Sequence, residues 1–294
     1  MDINYELYKV FYYVADTLSF SEASKQLYIS QSAVSQSIKA LETKLDQTLF
    51  IRSTKKVRLT PEGEILLRHI EPAINLIKRG ESQILESAST GGQIRIGASD
   101  TICRYFLVPY LERFHKAFPN AHIKVTNATS IKCTELLETG QVDLIVANYP
   151  NAYLGSLTAI KKIKDFKDVF IANHAFDELA DKELTFRQLL DYPIIMLDKK
   201  STTSEFLHSL FQQHQLDLVP EIELSSNDLL IDLASIGLGI AFIPDYCVPK
   251  NSDQLFIVKT REKLPQRQLI IAWNDRVPVS RAAQTFLEYF DELS

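Results

Sequence analysis

Residues 19–45 read SFSEASKQLYISQSAVSQSIKALETKL, and the fold is decided there. Ser19 and Glu22 have the S-x-x-E spacing of a capping box, in which each side chain satisfies a free backbone N–H, so a helix is expected from Phe20 to Leu27. Tyr28 and Ile29 make a short turn. Ser30 then caps a second helix whose apolar residues Ala33, Val34, Ile38, Leu41 and Leu45 line one face. The opposite face is polar, and its residues Gln31, Ser32, Ser35, Gln36 and Lys39 crowd into the amino-terminal half.

Downstream come Leu49 and Phe50, then Arg52, Thr54, Lys55, Lys56, Val57, Arg58 and Leu59, the pattern of a short basic hairpin, or wing. Between Ile29 and Arg58, Lys39, Lys44, Arg52, Lys55, Lys56 and Arg58 face only Glu42 and Asp46, a local excess of positive charge in a chain of net charge −5. Two helices, a tight turn and a basic wing form a helix-turn-helix, whose second helix meets base edges in the major groove while the wing lies against phosphates. Residues 1–89 carry 11 basic and 11 acidic side chains, so the acidic excess belongs to residues 90–294.

Ser19-Phe20-Ser21-Glu22-Ala23-Ser24, Ser30-Gln31-Ser32-Ala33-Val34-Ser35, Leu41-Glu42, Leu49-Phe50-x-Arg52 and Leu59-Thr60-x-x-Gly63 follow the order and spacing of one family. The chain resembles a LysR-type transcriptional regulator. Ser24 stands where that family usually has a second Ala, and Ser32 where it often has Pro. The resemblance implies an α/β protein with an N-terminal winged helix-turn-helix, a long linker helix and a two-lobed, periplasmic-binding-protein-like effector domain. It implies DNA contacts from Ser21, Gln31, Ser32, Ser35, Gln36, Lys39, Arg52, Thr54, Lys55, Lys56 and Arg58. Double-stranded DNA, a small-molecule effector and a second copy of the chain, in a homodimer or homotetramer, are the expected partners, with RNA polymerase a further candidate.

Pro61 opens a segment in which Leu66, Ile70, Ala73, Ile77, Gly80, Ile84 and Ala88 alternate at spacings of 4 and 3, a coiled-coil seam. A helix over residues 61–89 would reach ~43 Å at about 1.5 Å per residue. Thr90-Gly91-Gly92 makes a hinge. Beyond it, strands and helices alternate in two similar runs, which predicts parallel sheets with crossover helices in two lobes. The first lobe is assigned to residues 93–162 and 268–294 and the second to 163–267, with the chain crossing near Lys162 and Gln268; residues 1–60 form the DNA-binding domain.

Small polar residues recur where strands lead into helices: Ser99 and Thr101, Thr129 and Ser130, Thr202 and Thr203, and Ser225 and Ser226. Ligands of open parallel sheets bind at the carboxyl ends of the strands, where helix N-termini offer N–H groups and a partial positive charge. Ser99, Thr101, Thr129, Ser130, Thr202 and Thr203 are therefore the expected effector contacts, and a small anion the favoured ligand, with Asp100 opposing a multiply charged one. Each serine or threonine taken singly reads equally as a helix cap.

The remaining residues predict no enzyme and no cofactor. Asp143, Asp198 and Asp245 have no neighbouring histidine or nucleophile motif. The six histidines lack metal-ligand spacing, His208 and His214 being six apart, so no metal is expected. Cys103, Cys133 and Cys247 read as reduced structural thiols, with redox sensing at Cys103 or Cys133 disfavoured. Asp2, Glu6 and Lys9 interrupt any secretory signal, and the longest uncharged apolar run, Leu233 to Pro244, is too short to span a bilayer. A soluble, cytoplasmic protein is expected, with no membrane partner.

Overall fold

The computed structural model describes residues 3–52, 56–86, 92–156, 158–249 and 254–290. It divides into an amino-terminal and a carboxy-terminal unit, which part at residues 85–86.

The amino-terminal unit runs α1 (Tyr5–Thr17), α2 (Phe20–Leu27), α3 (Gln31–Leu45), β1 (Phe50–Arg52), β2 (Val57–Leu59) and α4 (Pro61–Glu86). The second and third helices lie where their caps place them. Ser19 Oγ accepts from the Glu22 N–H at 3.2 Å and Ser30 Oγ from the Ala33 N–H at 3.2 Å. Only half of the expected capping box forms: Glu22 turns to Lys25 at 2.7 Å, and the Ser19 N–H donates to Thr17 Oγ1 instead. Tyr28 ends α2 in the left-handed region at φ 55°, a conformation that the turn into α3 requires of it. Val34, Ile38 and Leu41 are fully buried against Phe11, Val14, Ala23 and Phe50.

Polar contacts explain the remaining motif residues. Glu42 Oε1 accepts from the N–H groups of Leu49 at 2.8 Å and Phe50 at 3.3 Å, fixing the entry to the wing. Thr60 Oγ1 donates to the Thr48 carbonyl at 2.7 Å and accepts from the Gly63 N–H at 3.0 Å. A Cβ on Gly63 would run into the Leu49 carbonyl oxygen, so the first turn of α4 can approach the wing only without a side chain there. Strands β1 and β2 pair antiparallel, Phe50 opposite Leu59 and Arg52 opposite Val57.

Helix α4 continues through Pro72. Its seam is divided: Leu66 and Ile70 pack onto the core of their own unit, while Ile77 and Ile84 are 58% and 75% exposed. The apolar repeat thus serves the amino-terminal core over its first half and is left uncovered over its second. Residues 87–91, with part of the expected linker and hinge, lie outside the described residues.

In the carboxy-terminal unit the elements are β3 (Gln93–Ala98), α5 (Asp100–Ile102) running on through a π-helical turn at Cys103–Leu107 into α6 (Val108–Ala117), β4 (His122–Asn127), α7 (Ser130–Glu138), β5 (Leu144–Tyr149), β6 (Thr158–Phe166), β7 (Asp168–Asn173), β8 (Glu183–Leu184), α8 (Phe186–Leu189), β9 (Ile194–Leu197), α9 (Thr202–Gln213), β10 (Ile222–Leu224), α10 (Asn227–Ser235), β11 (Ile240–Pro244), β12 (Leu255–Thr260), β13 (Arg267–Asn274) and α11 (Arg281–Glu288). They build two sheets, ordered β4-β3-β5-β13-β6 and β10-β9-β11-β7-β12-β8. In each, three parallel strands follow the expected strand–helix repeat, and the strand that the chain enters just after a crossing joins them antiparallel: β13 beside β5, and β7 beside β11.

The expected parallel strands are present, and both sheets are mixed, because β6, β7, β12 and β13 add antiparallel pairings. The first crossing also shifts. It falls at Lys167, beyond the expected Lys162, because Ile163 and Phe166 are buried in the first lobe's core and keep β6 in its sheet. The return lies between Thr260 and Arg267, just before the expected Gln268. Trp273 belongs to β13 and packs on that same core.

Replacing Gly63 with Ala should lower the urea midpoint of the intact chain, costing about 1–3 kcal/mol for the forced shift of the Leu49 backbone. An unchanged midpoint would show that the wing moves aside freely.

Candidate functional site

On α3 the polar residues stand where the helix leaves the core. Gln31, Ser32, Gln36 and Lys39 are exposed and Ser35 is half-buried, all within the first nine residues of the helix. Ser32 Oγ shares a 2.9 Å hydrogen bond with the cap Ser30, so the hydroxyl that replaces proline braces the helix start. Ser21 is exposed at the start of α2. Arg58 and Lys56 are exposed on the wing, while Thr54 and Lys55 lie outside the described residues. Arg52 has structural partners: its guanidinium sits 4.3 Å above the Phe20 ring and 3.8 Å from Glu42. Ser35, Gln36, Lys39, Glu42, Thr48, Phe50 and Arg52 line one open concavity beside α3.

The second surface is a cavity of about 320 Å³ between the two lobes, lined by all six of Ser99, Thr101, Thr129, Ser130, Thr202 and Thr203. Sequence reasoning missed Asn127, Asn148, Asn227 and Tyr246, which also line it. The hydroxyls share one property. Ser99 Oγ accepts from the Ile102 N–H, Thr129 Oγ1 from Lys132, Ser201 Oγ from Ser204 and Ser226 Oγ from Leu229, each as a helix cap. Ser130 Oγ accepts from the Asn148 N–H, and Thr101 Oγ1 from Asn227 Nδ2 at 2.9 Å. Each oxygen therefore takes a fixed protein N–H and keeps its own proton to donate. The wall is rich in donors, which suits a ligand rich in acceptors.

Among the described residues, three buried polar atoms of the lining have no hydrogen-bond partner: Asn148 Oδ1, Asn227 Oδ1 and the Tyr246 hydroxyl. Burial holds the Tyr246 phenol well above its ordinary pKa, so it stays protonated and can donate. Asp100 and Asp198 are the charged residues of the lining; Asp100 accepts from Asn127 Nδ2 at 3.3 Å and Asp198 from the Lys200 N–H at 3.0 Å. The lobes also touch outside the cavity. Tyr105 donates to Asp228 at 2.6 Å, Arg104 lies 3.3 Å from the same carboxylate, and Tyr153 donates to Glu205 at 2.7 Å.

Of the carboxylates weighed as catalytic groups, Asp143 is committed to structure, buried and held by the Arg95 guanidinium at 2.9 Å and backbone N–H at 2.8 Å. Among the described residues no group of three or more His, Cys, Asp or Glu side chains could hold a metal ion, and no helix is long and apolar enough to cross a membrane.

A winged helix-turn-helix reader joined to a two-lobed domain with a polar cleft is the architecture of a ligand-responsive DNA-binding regulator. Residues 5–64 match the family model of the bacterial regulatory helix-turn-helix protein, lysR family, and residues 87–294 match that of the LysR substrate binding domain. The chain belongs to the LysR family of transcriptional regulators. It is 30% identical over 278 residues to a protein of Gracilaria tenuistipitata var. liui named "Probable RuBisCO transcriptional regulator", covering 91% of this chain and 89% of that one. The fold is shared with full-length CbnR, solved with its target DNA, at a TM-score of 0.67 and 16% identity over 99% of this chain and 100% of that one. It is shared also with the CcmR regulatory domain of Synechocystis PCC6803, solved with 2-PG, at a TM-score of 0.62 and 22% identity over 68% of this chain and 95% of that one.

The three thiols sit in surroundings that suppress the thiolate. Burial, aided by Asp100, pushes Cys103 up to about 11, and burial pushes Cys133 up to about 12. Alkylation of Cys103 in the folded chain at pH 8 should run about a hundredfold slower than that of an unperturbed thiol and accelerate as the pH approaches 11. Rapid labelling at pH 8, followed by mass spectrometry, would refute that environment.

Proposed function

We propose that the chain represses or activates genes by placing two copies of α3 in successive major grooves, under the control of a small acceptor-rich acid bound between the lobes. The reading rests on one observation: the amino-terminal half of α3 is a polar, exposed face on a helix whose other face is sealed by Val34, Ile38 and Leu41. Such a helix carries base contacts on a rigid support. Gln31, Ser32, Ser35, Gln36 and Lys39 read bases, Ser21, Thr54, Lys55, Lys56 and Arg58 grip phosphates, and Arg52 braces the wing between Phe20 and Glu42 while reaching the backbone. The DNA complex of CbnR, which shares the fold, supports this placement.

The effector cleft comprises Ser99, Thr101, Thr129, Ser130, Thr202 and Thr203, supported by their shared cavity and by the 2-PG held in the CcmR domain. Residues 1–60 form the DNA-binding domain, 61–89 the linker and dimerisation helix, 90–92 a hinge, and the remainder the effector lobes. Ile77 and Ile84, exposed on α4, meet a second copy in a homodimer that can pair into a tetramer. The protein acts in the cytoplasm as a regulator rather than an enzyme, its relatives being transcriptional regulators.

Genomic fragments selected on the purified protein supply the binding site. On that site Gln36→Ala should change the preferred base at one position, at a cost of about 1–3 kcal/mol, whereas Arg58→Ala should weaken all sequences alike and reduce the salt slope by about 1. A preference profile untouched by Gln36→Ala overturns the assignment of α3. In sedimentation, Ile84→Glu should shift the chain toward monomer, and an unchanged oligomer would remove α4 from the interface.

A further inference from the structure

Arg267 is 1% exposed, and a buried guanidinium is costly unless its charge is matched; among the described residues its Nε and Asp168 Oδ1 have no hydrogen-bond partner. Asp168, itself 0% exposed, lies 2.7 Å from Nη1. Phe166 and Phe206 place their rings 5.3 and 4.8 Å from the guanidinium carbon. The same cation donates to Thr203 Oγ1 at 3.1 Å and Thr202 Oγ1 at 3.4 Å. Asp168 opens β7 just after the chain leaves the first lobe, and Arg267 opens β13 where it returns, so this pair ties the two crossings together directly behind the cavity.

Two consequences follow for a ligand. Because Arg267 occupies the acceptor side of Thr202 and Thr203, both hydroxyls turn their protons away from it, at the start of the twelve-residue helix α9. Because Asp168 cancels the cation, and among the described residues no Lys, Arg or His lines the cavity, the wall offers donors without a free positive charge. Asp100 and Asp198 add negative charge to the rim. Asn227, 6% exposed, directs one amide atom at Thr101 and the other, unpartnered, is left for a ligand. Helix N-termini and hydroxyls can hold one negative charge, whereas a second would meet the two carboxylates unscreened.

We propose that Arg267, locked by Asp168, sets the charge of the effector. The cleft takes a small hydroxy- or keto-monocarboxylate and rejects the phosphorylated counterpart. This deepens the cleft reading above and rests on it. The threonine hydroxyls receive the carboxylate, Tyr246 donates to its oxygen substituent, and Asn227 Oδ1 accepts from that substituent where it is a hydroxyl.

The test is calorimetric titration of the full-length protein with matched pairs, glycolate against 2-phosphoglycolate and pyruvate against phosphoenolpyruvate. The monocarboxylate of at least one pair should bind about tenfold or more tightly than its phosphorylated partner. Asp100→Asn with Asp198→Asn, both on the rim, should shrink that ratio several-fold. Asp168→Asn, which uncovers the Arg267 charge, should tilt it toward the phosphorylated ligand; if that variant fails to fold, the rim pair reads the same ratio. Phosphorylated ligands binding the wild type equally or more tightly would overturn the proposal, as would an unmoved ratio in the rim variant. So would no binding by any of the four to protein that retains its DNA site. The cleft reading fails separately, if Thr202→Val leaves the affinity of whichever ligand binds unchanged.

Discussion

Every helix begins with backbone N–H groups that its own carbonyls cannot reach, and this unmet demand organises both functional surfaces. Ser30 meets it at the head of α3 and leaves the next turns to present side chains outward. Around the cleft Ser99, Thr129, Ser201 and Ser226 meet it at four other helical starts, and in accepting those N–H groups each keeps its own proton to donate. One residue type therefore does two things: it ends a strand-to-helix turn and sets the polarity of the wall.

Charge is handled differently inside and outside. The amino-terminal unit keeps its cations exposed on α3 and the wing, where phosphates can displace counterions. In the effector unit the buried Arg267 is paired with the buried Asp168, and the half-buried Arg95 with the buried Asp143. Each pair joins elements distant in sequence, so their value lies in fixing geometry: Arg95 anchors the start of β5's approach to β3, and Arg267 anchors both lobe crossings. A substitution that leaves one partner alone in such a place strands a charge in low dielectric.

The local patterns were legible because they depend on near neighbours. The S-x-x-E and Ser30 caps, the spacing of Val34, Ile38 and Leu41, and the small polar residues after strands β3, β4 and β9 all act within a few positions. They located α2, α3, the wing and six residues of the cavity wall. Helix α4 was legible as a helix, but its seam was not assigned correctly, since periodicity cannot say which apolar residues face their own core. Leu66 and Ile70 do, and Ile77 does not.

By itself the sequence determined which family of folds the chain adopts and which short turns carry polar groups, since capping and hydrophobic period are local properties. Tertiary structure alone decided that β7 and β13 run antiparallel to their neighbours, and that Arg267 meets Asp168, 99 positions away, behind Thr202 and Thr203. Pairing across such a separation depends on sheet register and on the burial of a matched charge, and neither leaves a mark on the residues adjacent in the chain.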